Sequence, residues 1–359
     1  MNDTHSVPAF LQDTLRDIVP IAPELYAQAE QRLDQLTKPP GSLGRLERIA
    51  AQCYAVFAGI PTLPMRKAAY VFAADHGVTQ EGVSAYPSAV TAQMVENFLQ
   101  GGAAINVLAR VHDVTLTIID VGVDAEFSES SSLWQRKVRR GSRNLHLEPA
   151  LSAEELEQAL RVGLEAAEDA DRRNHSVVAA GEMGIGNTTA ASAITAVLTG
   201  QPVEAVTGSG TGIGTAARER KQQIIRDALT QHLTDRVSPL EALRCVGGLE
   251  IAAMTGFFLG AARHRQLIVV DGFIATAAAG VAVALAPAAR DYMLAGHRSE
   301  EPGHDCLLRH LRFDPVLDLK MRLGEGTGAV LAMPVITSAA HVLAEMATFA
   351  SAGVSTATA

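Results

Sequence analysis

What most constrains this chain is a recurring unit: a short aliphatic run, a turn carrying an acid or glycines, then a helical stretch. Ala68 to Ala74 leads into Asp75-His76-Gly77-Val78, and Val114 to Ile119 into Asp120-Val121-Gly122. Ser176 to Ala180 leads into Gly181-Glu182-Met183, and Gln266 to Val270 into Asp271-Gly272. Short apolar runs bounded by turn residues fit buried strands. Strands alternating with helices predict an α/β fold, a parallel Rossmann-like sheet flanked by helices. A fifth strand is expected over Asp291 to Leu294. In such sheets ligands sit beyond the carboxyl ends of the strands. Asp75, Asp120, Glu182 and Asp271 all fall there.

The two chain ends read differently. Pro8 to Leu36 is helical in pattern, broken near Pro20 and Pro23. Pro39, Pro40 and Gly41 then stop it. Ser42 is expected to cap the next helix, which runs to about Phe57, with Lys38 and Arg45 in a solvated loop. The stretch after Thr327 is helical and apolar. Neither end carries a strand. The expected organisation is a small helical domain from 1–60 with 330–359, beside a large α/β domain over 61–329. Between strands, Ser152-x-x-Glu155 has capping-box spacing and predicts a helix to Ala170. Residues 127–150 read as irregular, with Arg136, Lys137, Arg139 and Arg140 on a solvated face. His297, His304 and His310 read as surface residues in a polar stretch.

Composition narrows the function classes. The chain has 359 residues, 48% hydrophobic, 19% charged and only 4% aromatic, so its core must be aliphatic. A net charge of −9 argues against nucleic acid as a partner. It does not exclude an anionic substrate, because a helix N-terminus binds phosphate locally. Cys53, Cys245 and Cys306 are odd in number and far apart, which fits reduced thiols and a cytoplasmic protein. The first residues, Met1 to His5, carry no basic–apolar signal pattern. The longest apolar run, Gly272 to Ala289, is rich in Ala, Gly and Val and reads as a buried helix, not a membrane span.

Chemistry concentrates in the glycine turns. Gly181 to Gly186, Gly208 to Gly214 and Gly247-Gly248 each precede a helix, where free N–H groups favour phosphate. Asn187, Thr188 and Thr189 add side-chain donors. There is no G-x-x-x-x-G-K-[ST] and no G-x-G-x-x-G, which disfavours a nucleoside triphosphate loop and a dinucleotide site. A smaller phosphate remains, such as a mononucleotide or sugar phosphate; tight helix–sheet packing explains the same turns. Asp75-His76 lacks the spacing of a metal site, and no metal or cofactor is expected. Gly208-Ser209-Gly210 is only part of a nucleophile elbow. Leu323-Gly324-Glu325-Gly326-Thr327-Gly328 sets one carboxylate among three glycines. It fits an inward, desolvated general base and equally a tight turn with a solvated glutamate.

Taken in order, these segments resemble one family. They are Lys38-Pro39-Pro40-Gly41-Ser42-Leu43-Gly44, Asp75-His76-Gly77-Val78, Gly82-Val83-Ser84, Gly181 to Thr189, Val246 to Glu250, Asp271-Gly272-Phe273 and Leu323 to Gly328. Together they closely resemble the nicotinate-nucleotide–dimethylbenzimidazole phosphoribosyltransferases of cobalamin lower-ligand synthesis, over roughly residues 20–350. The resemblance implies a homodimeric pentosyltransferase acting on nicotinate mononucleotide and 5,6-dimethylbenzimidazole, without a cofactor. It implies Glu325 as general base and Glu182 as a second acid. It implies phosphate contacts from Met183, Gly184, Gly186, Asn187 and Thr188, from Gly208, Ser209 and Gly210, and from Lys221. Ser84, Tyr86 and Gln93 would lie by the benzimidazole, with Asp271, Leu323 and Gly324 also at substrate. A nucleotide N-glycosidase or sugar-phosphate hydrolase fits the same turns, and so does a non-catalytic nucleotide-binding regulator.

Overall fold

The computed structural model describes residues 7–128, 132–210, 212–234 and 237–355. Met1 to His5 and Thr211, within the Gly208–Gly214 turn, lie outside the described residues. Eight strands occur among the described residues: β1 (Lys67–Ala74), β2 (Val114–Gly122), β3 (Leu133–Gln135), β4 (Val177–Met183), β5 (Leu267–Val270), β6 (Met293–Ala295), β7 (His297–Ser299) and β8 (Leu317–Met321). The first six form one sheet in the order β3-β2-β1-β4-β5-β6, every neighbouring pair parallel. The order reverses direction at β1/β4, the kind of switch point where an open α/β sheet leaves a crevice.

β1 is buried almost throughout, as expected of a strand covered by helices on both faces. β2 and β4 run further than their aliphatic stretches. Ala73 pairs with Asp120 and Phe72 with Glu182, so pairing with β1 carries both acids into strands. β3 corrects the irregular reading of 127–150. It spans three residues beside Ile118–Asp120, too few to show a period. The strand expected from Asp291 is β6, which starts two residues later: Asp291 lies within the 3-10 turn Pro287–Tyr292, and its carboxylate accepts from the Ile21 amide at 3.1 Å.

A few of the scarce aromatics cluster between the sheet and one helix. Phe257 lies 5.2 Å from Tyr70 and 5.8 Å from Phe72, centroid to centroid. It belongs to the helix Leu249–Arg263, whose residues are buried from Leu249 to Ala262. The apolar run near Gly272 forms the helix Phe273–Leu285, buried from Phe273 to Ala282. Among the described residues, one helix, Thr327–Glu345, is long and apolar enough to cross a membrane. Its side with Val330, Met333, Ile336 and Leu343 is buried inside the protein.

Both chain ends meet on that helix. Arg45–Phe57 packs against it, and Pro23–Gln35 packs on Arg45–Phe57 and reaches it through Arg32, whose Nε donates to the Leu343 carbonyl at 2.8 Å. Leu36 and Thr348 form an antiparallel bridge. The beginning of Thr327–Glu345 also packs against β4 and β5. Ser42 does not cap the next helix; Gly44 is its N-cap, without a side-chain bond. Lys38 is buried, not solvated, because its ammonium pairs with Glu47 at 2.9 Å. Arg45 is exposed and donates to the Asp314 and Pro315 carbonyls. Lys137 also departs from the solvated reading, since it binds Asp120 at 2.9 Å and the Val123 and Ala125 carbonyls. The Ser152 capping box is present, with Glu155 N donating to Ser152 Oγ.

Candidate active site

A cleft of about 320 Å3 opens at the carboxyl ends of β4 and β5. One wall is the segment from Glu182 to Ile185 with Asn187 and Thr188, and another is Asp271 to Ala275. Leu323, Gly324 and Tyr86 also line it. The helix Asn187–Thr199 begins here from Gly186, which has φ +97 and gives no side-chain cap. Glu182 comes off β4 and accepts a hydrogen bond from Asn187 Nδ2. Burial pushes its carboxyl up to about 8, and the charges of Glu250, Asp271 and Glu325 add to the rise.

Glu325 arrives from a different segment. Gly324, Glu325 and Gly326 have φ of +85, +62 and +87, a left-handed run in which the glutamate is the strained member. Asp271 holds this turn: its oxygens accept from the Gly326 amide at 3.2 Å and the Ala329 amide at 2.8 Å. A Cβ on Gly324 would lie 2.2 Å from Glu182 Oε1, so only glycine lets the two acidic segments meet. Glu325 is buried, and Oε2 has no hydrogen-bond partner among the described residues. Burial pushes this carboxyl up to about 7; a main-chain bond from Ile105 opposes the rise and the Asp271 charge adds to it. The lining of the cleft stops at Gly324, and Glu325 sits one residue behind it.

A second layer supports this cluster. His76 Nε2 and Glu250 Oε1 are 2.7 Å apart, both side chains fully buried. Burial works against a charged His76, yet Glu250 and Asp75 outweigh it and hold the ring above its ordinary value. Lys221 is also fully buried, and its ammonium donates to Thr188 Oγ1 at 2.8 Å. Burial lowers its pKa to about 8, against the opposing charge of Glu301. Such a cation behind a helix start suits an anion at Thr188.

Of the residues expected at substrate, Glu182, Met183, Gly184, Asn187, Thr188, Gly210, Asp271, Leu323, Gly324 and Tyr86 share the cleft. Gly208 and Ser209 line an adjoining hollow that also contains Gly210. Gly186 packs against Thr79. Ser84 is half-buried and its Oγ accepts from the Tyr86 amide at 3.2 Å, while Gln93 is exposed on the helix Ala89–Leu99. Neither belongs to the cleft lining.

These geometries sit on a chain with clear relatives. A family described as phosphoribosyltransferase matches residues 18–354. The nicotinate-nucleotide–dimethylbenzimidazole phosphoribosyltransferase of Geobacter sulfurreducens is 49% identical over 344 residues, 96% of this chain and 98% of its own. The chain belongs to this phosphoribosyltransferase family. Another relative of the same name, from Chloroflexus aggregans, is 48% identical over 347 residues, 97% of this chain and 98% of its own. The crystal structure of CobT from Thermus thermophilus matches with a TM-score of 0.90 at 50% identity, covering 93% of this chain and all of that one.

The phosphoribosyltransferase cleft also contains residues the sequence did not single out. His297 and Ser299 line it from β7, with Glu301 and Arg322. His297 and His304 are fully buried, which corrects the surface reading; His310 is exposed. Burial and the His297 charge lower His304 to about 3, so it is neutral. Its Nδ1 accepts from the Ser299 amide at 2.9 Å, which leaves Nε2–H to bond Thr276 Oγ1 at 3.0 Å. The sequence carried no signal for this: His297-Arg298-Ser299 are all polar, and only the fold shows the outer two buried and the middle one exposed.

Proposed function

We infer that this chain transfers the phosphoribosyl group of nicotinate mononucleotide to 5,6-dimethylbenzimidazole, giving α-ribazole 5′-phosphate and nicotinate for the cobalamin nucleotide loop. One observation carries the reading above the others. A chain 49% identical over 96% of its length to a relative of that name brings its two glycine-flanked glutamates together beside one cleft.

The chemistry follows from the substrates. The bond from C1′ to the pyridinium nitrogen breaks, and nicotinate leaves with the electron pair, so no proton is needed on the leaving group. A benzimidazole nitrogen bonds C1′ from the opposite face, inverting β to α. The new ring must then lose its N–H proton, and Glu325 accepts it. Support for that role is a carboxyl pushed up to about 7, close to working pH, with one oxygen unpartnered among the described residues. Glu182, once ionised, stabilises the cation-like ribose. The segment 183–188, the Gly208–Gly210 turn and Lys221 hold the phosphate, and Ser84, Tyr86 and Gln93 lie on the side of the acceptor base.

The described residues within 1–60 and 330–359 act as a small helical domain beside the catalytic domain over 61–329. The working form is a cytoplasmic homodimer whose partner closes the acceptor side. Support for the dimer is that Tyr86 and Leu323, on the cleft wall, are 54% and 56% exposed. Product analysis after mixing the protein with nicotinate mononucleotide and 5,6-dimethylbenzimidazole tests the activity. α-Ribazole 5′-phosphate is expected; nicotinate released equally well without an acceptor would mean a hydrolase instead.

A further inference from the structure

The cleft is lined by three carboxylates, and two of them are already engaged. Glu182 accepts from Asn187, and both oxygens of Asp271 accept main-chain N–H groups. Glu301 differs. It is 8% exposed, yet its Oε2 has no hydrogen-bond partner among the described residues. A buried acceptor left unmade is costly, more so when it is charged. Glu301 also lines the adjoining hollow beside Gly208, Ser209 and Gly210. A Cβ on Gly208 would lie 2.1 Å from Glu301 Oε2, so the carboxylate rests against the turn itself. Its charge reaches the buried Lys221 ammonium, which donates to Thr188.

We propose that Glu301 accepts a hydrogen bond from a ribose hydroxyl of the nucleotide substrate and makes the enzyme selective for ribose over deoxyribose. This rests on the phosphoribosyl-transfer reading above. Glu301 lines both the cleft that carries Glu182 and the adjoining hollow beside Gly208 to Gly210, and the sugar of a nucleotide whose phosphate is anchored at these turns would reach it. A carboxylate beside a phosphate is repelled unless it meets a donor. The hydroxyls at C2′ and C3′ are the donors on that sugar. Lys221 offsets the remaining negative charge.

The test compares nicotinate mononucleotide with its 2′-deoxy and 3′-deoxy analogues as phosphoribosyl donors, in the wild type and in Glu301→Ala and Glu301→Gln. Thermal unfolding confirms that each variant is folded. A hydrogen bond to a charged group corresponds to a loss of about 10- to 100-fold in kcat/KM when one partner is missing. The wild type is expected to lose that much with one of the analogues. Glu301→Ala is expected to lose a similar factor on nicotinate mononucleotide and little more on that analogue, so the preference collapses. A wild type that uses both deoxy analogues as well as the ribonucleotide overturns the proposal and leaves the transfer reading intact. So does a preference that survives in both folded variants. A wild type with no transfer to any benzimidazole removes the reading and the proposal together.

Discussion

A Cβ placed on Gly181 would lie 2.3 Å from the carbonyl oxygen of Glu325. The strand that carries one acid and the turn that carries the other are therefore in main-chain contact, with no side chain between them. Gly181 is followed at once by Glu182, so this contact fixes the relative position of both carboxyls. Gly181→Ala is expected to cost stability of about 1–3 kcal/mol from overpacking and to lower transfer as the Glu325 turn is displaced. Chemical denaturation with steady-state kinetics checks it; an alanine variant with unchanged stability and rate would remove the contact from the account.

Glu182 gives a pH-dependent expectation. With its carboxyl pushed up to about 8, the free enzyme holds it protonated at lower pH. Glutamine mimics the protonated acid in shape and charge. Glu182→Gln is expected to fall further behind the wild type in kcat/KM as pH rises through about 8. Kinetics across that range reads the gap, and a constant ratio at every pH would separate Glu182 ionisation from catalysis.

Lys221 is expected to act on the nucleotide alone. Lys221→Met keeps the buried stem and removes the charge and the donation to Thr188. The KM for nicotinate mononucleotide should rise about tenfold or more, the scale of a charge-assisted hydrogen bond, with little change in the KM for the benzimidazole. Equal effects on both would place Lys221 away from the phosphate.

Much of this was legible because parallel sheets write themselves as aliphatic runs ending at turns. β1 and β5 could be read almost to the residue. β3 could not, because three residues at a sheet edge show no period. Glu182 and Glu325 stood out through their glycines, but only the folded chain shows Glu325 one residue behind the cleft lining. Lys38 and His297 were misjudged for one reason: a polar residue in a polar stretch looks solvated until its partner is known. Glu47 lies nine positions on from Lys38, and Asp271 is distant in sequence from His297. Glu301 carried no signal at all, since it is one of two adjacent acids in Ser299-Glu300-Glu301.

The raised Glu325 carboxyl also makes a statement about stability. A group that titrates higher in the folded state than in the unfolded chain binds its proton more tightly when folded. Its stabilising contribution is complete below the ordinary value near 4.5 and is lost as pH rises through about 7. Glu325→Gln removes that titration. The variant is expected to gain on the wild type in stability as pH rises through this window. Denaturation midpoints at several pH values test this, and a gain that appears only on acidification would contradict the buried position.

The central claim is that Glu325 takes the proton from the acceptor base. The direct measurement is kcat for transfer from nicotinate mononucleotide to 5,6-dimethylbenzimidazole by folded Glu325→Gln, beside the wild type across neutral pH. The expected result is a loss of about 10²-fold or more, together with disappearance of the rise that the wild type shows through about pH 7. A folded variant that turns over like the wild type, with the same pH dependence, would contradict it.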